Sequence, residues 1–130
     1  MPTVLEAARG FRGAKWRHRG RKPWALDCVG LVLLSFRAAG KEIVDADFRY
    51  GREPWDAQLR AEVQKRLGVP VVNPQPEDVA LIRYARGQPL HLALVGDKQG
   101  LSLIHIHSLK GLIEHPFDPA QVVEVYRWRG

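Results

Sequence analysis

The chain has a single cysteine, Cys28, so no internal disulfide can form and packing alone must hold the fold. No run comes near the roughly 20 apolar residues that a membrane-spanning helix needs. The opening, MPTVLEAARGFRGAKW, lacks the continuous apolar segment of a secretion signal. The expectation is a soluble chain with no membrane partner, not exported by a cleaved leader. Internal repeats and low-complexity tracts are also missing. At 130 residues and 45% apolar side chains, the sequence suits one compact domain over residues 1–130.

Acidic residues are absent between Glu6 and Asp27, where Arg9, Arg12, Lys15, Arg17, Arg19, Arg21 and Lys22 lie. Together with a formal net charge of +6, this stretch makes a positive face. Such a face attracts polyanions or an acidic protein, unless it is only a solvated loop. The sequence has no zinc-finger spacing, RNA-recognition signature or helix-turn-helix pattern, which disfavours nucleic acid as the partner.

What is present concentrates around Cys28. Asp27-Cys28-Val29-Gly30-Leu31-Val32 opens an apolar run through Phe36 to Ala38-Ala39 and stops at Gly40, the pattern of a mostly buried helix with a glycine stop. Unpaired N–H groups and the positive end of the helix dipole favour thiolate over thiol at its start, which predicts a lowered thiol pKa and a nucleophile. The alternative is a small apolar core residue.

Helices come first. One is expected over Val4 to Phe11 and an amphipathic one over Trp55 to Leu67, with Asp56 as N-cap and Leu59, Val63 and Leu67 on one face. Strands follow at Val79 to Tyr84, Leu90 to Gly96, Leu101 to His107 and Val122 to Trp128, separated by turn residues. Helices followed by consecutive strands indicate an α+β fold, with an antiparallel sheet packed on helices.

Four of the five histidines fall between His91 and His115. A cysteine nucleophile needs a base, and that base needs a polar neighbour to hold its ring. His91 opens the strand HLALV and is the candidate base. In His105-Ile106-His107 the two imidazoles share a strand face, so either can be the orienting group. A hairpin through Asp97-Lys98-Gln99-Gly100 would set a residue near 105 across from 91 or 92. Two alternatives stand beside this reading: hydrogen-bonded strand histidines without chemistry, and a three-histidine zinc site that leaves Cys28 without a role. His115, before Pro116, reads as a loop residue, and His18 belongs to the basic loop.

These runs resemble the NlpC-type cell-wall cysteine peptidases, a papain-like family. WRHRGR at 16–21 followed by LDCVGLV at 26–32 is similar to the family's opening of tyrosine, glycine and then Asp-Cys-Ser-Gly-Leu-Val. PEDVALIRY resembles its Pro-Gly-Asp-Leu strand entry, HLALVGD its His-Val-Gly-Ile-Tyr strand, and LIHI its Ile-His-Ala strand. The resemblance implies a papain-like fold with N-terminal helices on a C-terminal sheet. It implies Cys28 as nucleophile, His91 as general base and acid, and His105 as the orienting residue with His107 as the alternate. Trp16, Asp27 and His107 would line the substrate, and the Cys28 amide would serve the oxyanion hole. No cofactor or metal is implied. Trp16 stands where the family usually has a tyrosine and cannot supply a phenol, and Val29 replaces the serine after the cysteine.

The implied reaction is hydrolysis, through a thioester, of peptidoglycan stem-peptide amides of the D-glutamyl to diamino acid type. WRHRGR and the ending VVEVYRW resemble peptidase domains of phage tails and gene-transfer particles. The implied partners are peptidoglycan and tail-tip or hub proteins. The chain would be made in the bacterial cytoplasm and carried to the cell wall in an assembled tail. Two readings from other classes stay open: a tail-tip assembly module with a weak or inactive site, and an intracellular cysteine amidase or acyltransferase.

Overall fold

A computed structural model describes residues 1–51 and 56–130. Helix α1, Val4–Gly10, starts at a reciprocal cap in which Thr3 Oγ1 accepts the Glu6 N–H and Glu6 Oε1 accepts the Thr3 N–H. It buries Val4, Leu5, Ala7 and Ala8 and packs on α2, Cys28–Ala38. Helix α2 buries Val29, Gly30, Leu31, Val32, Leu33, Ser35 and Phe36, almost its whole circumference, as a helix enclosed by its domain must. Helix α3, Asp56–Leu67, turns Leu59, Val63 and Leu67 inward as their spacing predicts, and Trp55, where the sequence reading began it, lies outside the described residues.

The basic segment read as a loop is partly ordered into short strands. Strands β1 (Lys15–Trp16), β2 (Arg21–Lys22) and β3 (Ala25–Leu26) form a small sheet of order β1-β3-β2. This sheet presses on the first turn of α2 so closely that a Cβ on Gly30 would overlap the carbonyl oxygen of Gly20. Glycine at position 30 is what lets the two backbones touch, and glycine at position 20 makes room for the Ala25 carbonyl within the small sheet.

The larger sheet comprises β4 (Val79–Ile82), β5 (His91–Gly96), β6 (Ser102–His107), β7 (Gly111–Pro116) and β8 (Val122–Tyr126), all antiparallel, in the order β7-β6-β5-β4-β8. Strand β7 was not anticipated, and it changes His115 from a loop residue to a strand residue. Gly111, at φ +77°, makes the turn into it, and Pro116 is tolerated because it ends an edge strand. Period-two alternation gives the sheet two apolar faces. Val79, Leu81, Leu92, Leu94, Ile104 and Ile106 join the core built on α2. Ala80, Ile82, Ala93, Val95, Leu103 and Val125 form a second cluster, with Tyr84 and Phe117 packed against it.

Register decides which histidines meet. Strand β6 begins at Ser102, so the hairpin loop is one residue longer than expected, and Leu94 pairs with Ile104, Val95 with Leu103 and Gly96 with Ser102. Carried back along the strands, this register sets Ala93 against His105 and His91 against His107. The expected pairing of 91 or 92 with 105 is thereby shifted. The shift matters because a one-residue slip exchanges sheet faces, and the observed register puts His91, His105 and His107 on the same one.

Candidate active site

Cys28 is the first residue of α2, and its placement is fixed by the carboxylate before it. Asp27 is only 3% exposed and caps the helix, its Oδ1 accepting the Gly30 N–H at 2.7 Å. Oδ1 also accepts from Arg21 Nη1 at 3.0 Å, while Oδ2 accepts from the Arg19 N–H at 2.7 Å and from the Tyr50 hydroxyl at 2.6 Å. Arg21 extends the network to Asp45 and to Tyr50 Oη. A buried charge survives only with partners of this kind. Asp27, expected along the substrate, holds the basic segment and the helix start together.

The Cys28 thiol departs from the sequence expectation. Burial, and then the Asp27 charge, push its pKa up to about 12. The amide N–H groups of Leu92 and Val29 and the Arg21 charge act in the opposite sense and are outweighed. The helix start does favour the thiolate, as the sequence argument holds, but less than its apolar surroundings disfavour it.

Leu92, whose amide faces the sulfur, adjoins His91, so α2 meets β5 at the strand's beginning. His91 is half-buried, and its pKa is lowered by burial and then by His107, with Asp56 opposing. Asp56 is itself held by the Leu90 N–H at 3.0 Å and by Arg83.

The group at the centre of the cluster is Tyr84, which the sequence reading placed on a strand but gave no role. Its ring centroid lies 4.9 Å from that of His91, 5.3 Å from His105 and 5.5 Å from His107. Burial, and then the Cys28 charge, raise the phenol pKa to about 12, which puts the hydroxyl within electrostatic reach of the sulfur. Tyr84 follows Ile82 by two residues, and Ile82 pairs with His91. That parity was the available signal for its position.

His105 is 1% exposed, and both of its ring nitrogens are engaged away from His91. Nδ1 lies 3.0 Å from Tyr84 Oη and Nε2 lies 2.8 Å from His115 Nε2. Burial, and then the neighbouring imidazoles, depress its pKa to about 3. The direct contact expected between His105 and His91 is thus replaced by Tyr84 lying against both. His107 Nδ1 accepts from the Leu109 and Lys110 amides, which leaves Nε2 to carry the proton of the neutral ring. Trp16 is 38% exposed on β1. Among the described residues, no group of three or more histidine, cysteine, aspartate or glutamate side chains is arranged to hold a metal ion. Of the residues considered for zinc, His105 is bonded to Tyr84 and His115, and His107 accepts from two backbone amides. None of the described helices is long and apolar enough to cross a membrane.

No protein-family model and no curated protein matches the chain. Among solved structures, the chain is similar to the NlpC/p60 domain of the peptidoglycan hydrolase SagA, with 13% sequence identity, a TM-score of 0.64, and coverage of 96% of each chain. At that identity the likeness is one of fold, and it makes the architecture an α+β arrangement of the NlpC/p60, papain-like type.

Proposed function

We propose that the chain is a cysteine peptidase acting on peptidoglycan stem peptides, with Cys28 as nucleophile and His91 as general base and acid. The observation that carries this reading is the meeting of Cys28, on the first turn of α2, with the start of β5 beside His91, in a fold shared end to end with the domain of a peptidoglycan hydrolase. Sulfur attack on the amide carbonyl would pass the thiol proton to His91 and then to the leaving amine. Water activated by His91 would hydrolyse the thioester. The Cys28 amide, at the start of α2, suits the developing oxyanion.

The resting pair in this reading is neutral, because burial raises the thiol and lowers the imidazole. Proton transfer therefore accompanies attack, in place of a preformed thiolate–imidazolium pair. The bond proposed is the D-glutamyl to diamino acid amide. Delivery by a phage tail tip rests on the WRHRGR and VVEVYRW resemblances, and the basic segment suits an anionic wall. The second reading, an assembly module with a weak site, is favoured by that neutral thiol and by Trp16 in place of a phenol.

Digestion of diaminopimelate-type peptidoglycan by the wild type and by Cys28→Ala, with fragments identified by mass spectrometry, tests the proposal. New stem-peptide fragments from the wild type alone support it. Identical digests from both proteins refute it.

A further inference from the structure

A peptidase base must keep its ring in one orientation, and here the histidine expected to do so has no nitrogen left for the task. The direction of its hydrogen bonds can be worked out from one end. The Pro116 carbonyl oxygen can only accept, so His115 Nδ1, 2.9 Å away, donates to it. The Nε2 of a neutral His115 then accepts, which makes His105 Nε2 the donor across their 2.8 Å contact. His105, kept neutral by burial, accepts at Nδ1, so the Tyr84 hydroxyl donates to it over 3.0 Å. A single surface carbonyl thus fixes two tautomers and the direction of a phenol proton.

We propose that Tyr84 is the positioning residue for His91, and that His105 and His115 act through it as a hydrogen-bonded brace. The inference rests on the peptidase reading and deepens it. The phenol ring packs on His91 with a tilt of 41° and shields it from water, while the hydroxyl anchors the ring at the far side. Tyr84 also supplies, from just beyond β4, a phenol that Trp16 cannot supply from β1. The groups facing His91 are His107 from β6, Asp56 from α3 and Tyr84 beyond β4, with Cys28 of α2 facing Tyr84 in turn. Tyr84 and His105 each keep one protonation state across the neutral range.

The test combines nitrogen-15 spectra of the imidazoles, a pH titration of His91 and digestion kinetics, for the wild type, Tyr84→Phe, Tyr84→Ala and His115→Ala. His105 is expected as the single Nε2–H tautomer in the wild type, and as a mixture in Tyr84→Phe and His115→Ala. The His91 midpoint should rise toward the ordinary histidine value in Tyr84→Ala and stay in place in Tyr84→Phe, which keeps the ring. Loss of the buried hydrogen bond in Tyr84→Phe should lower kcat about tenfold, with KM unchanged. An Nδ1–H tautomer for wild-type His105, or a His91 midpoint indifferent to Tyr84→Ala, would overturn the brace. Should Tyr84→Ala not fold, His115→Ala, on the edge strand, carries the tautomer test. The spectra need no substrate: unchanged spectra beside Cys28-dependent digestion sink the brace alone, whereas responsive spectra without digestion sink the peptidase.

Discussion

The neutral thiol gives a quantitative prediction for alkylation of Cys28 by iodoacetamide. A thiol near 12, against an ordinary value of 9.0, has about a thousandfold less thiolate at neutral pH. A more basic thiolate is also the better nucleophile, and a Brønsted coefficient of about 0.45 returns roughly a factor of 20. Cys28 should therefore react about fiftyfold more slowly than a free thiol at pH 7, before any hindrance from its half-buried position. The rate should climb about tenfold per pH unit from 7 to 10 without levelling off. The assay is mass-spectrometric counting of modified Cys28 at a series of pH values, with Cys28→Ala as the blank. A plateau below pH 8, together with alkylation faster than a free thiol, would show a preformed thiolate and refute the argument that burial and Asp27 outweigh the helix amides.

Other perturbations read the same structure. Asp27→Asn removes the second-largest cause of the raised thiol, so the alkylation profile should move to lower pH, while urea unfolding shows a loss of about 1.5–3 kcal/mol from the weakened hydrogen bonds, Arg21 keeping Asp45 as its ion partner. Gly30→Ala drives a methyl into the Gly20 carbonyl and should cost at least about 1–3 kcal/mol, read as a lowered Tm; an unchanged Tm would mean that β1–β3 do not press on α2 as described. His105 is uncharged in the folded state down to about pH 3, but takes a proton near 6.5 when unfolded. The unfolded state thus binds more protons between those values. Stability should fall as pH drops from about 6.5 toward 3, by at most about 1.4 kcal/mol per unit from this group. A His105→Asn variant should show a shallower slope in urea midpoints over pH 4 to 7.

The elements that could be read from the sequence were those with strong periodicity. Helix α2 announced itself by a continuous apolar run behind an N-capping aspartate, and α3 by leucine and valine at four-residue spacing. Strand β7 was hidden because GLIEHP carries a turn glycine and a proline, and an edge strand needs neither alternation nor burial on both sides. The cysteine and the histidine cluster were visible as residue types, but their relation depended on one extra residue in the β5–β6 loop, which no propensity specifies. The thiol pKa was unreadable for a different reason: position on a helix is local, whereas burial of the sulfur is set by strands more than 50 residues away. Tyr84 was missed because its significance comes only from the rings that surround it.

Arg9 of α1 donates from Nε to Glu114 Oε1 at 3.0 Å and from Nη2 to Asp97 Oδ1 at 2.7 Å. The first of these contacts joins residues 105 positions apart, tying the opening helix to the outermost strand near the other end of the chain. A loop of that size cannot close until Glu114 has left the ribosome. Until β5 and β6 have emerged, the apolar circumference of α2 has no sheet to cover it. Folding should accordingly be slow and late rather than progressive, with aggregation during synthesis as its main competitor.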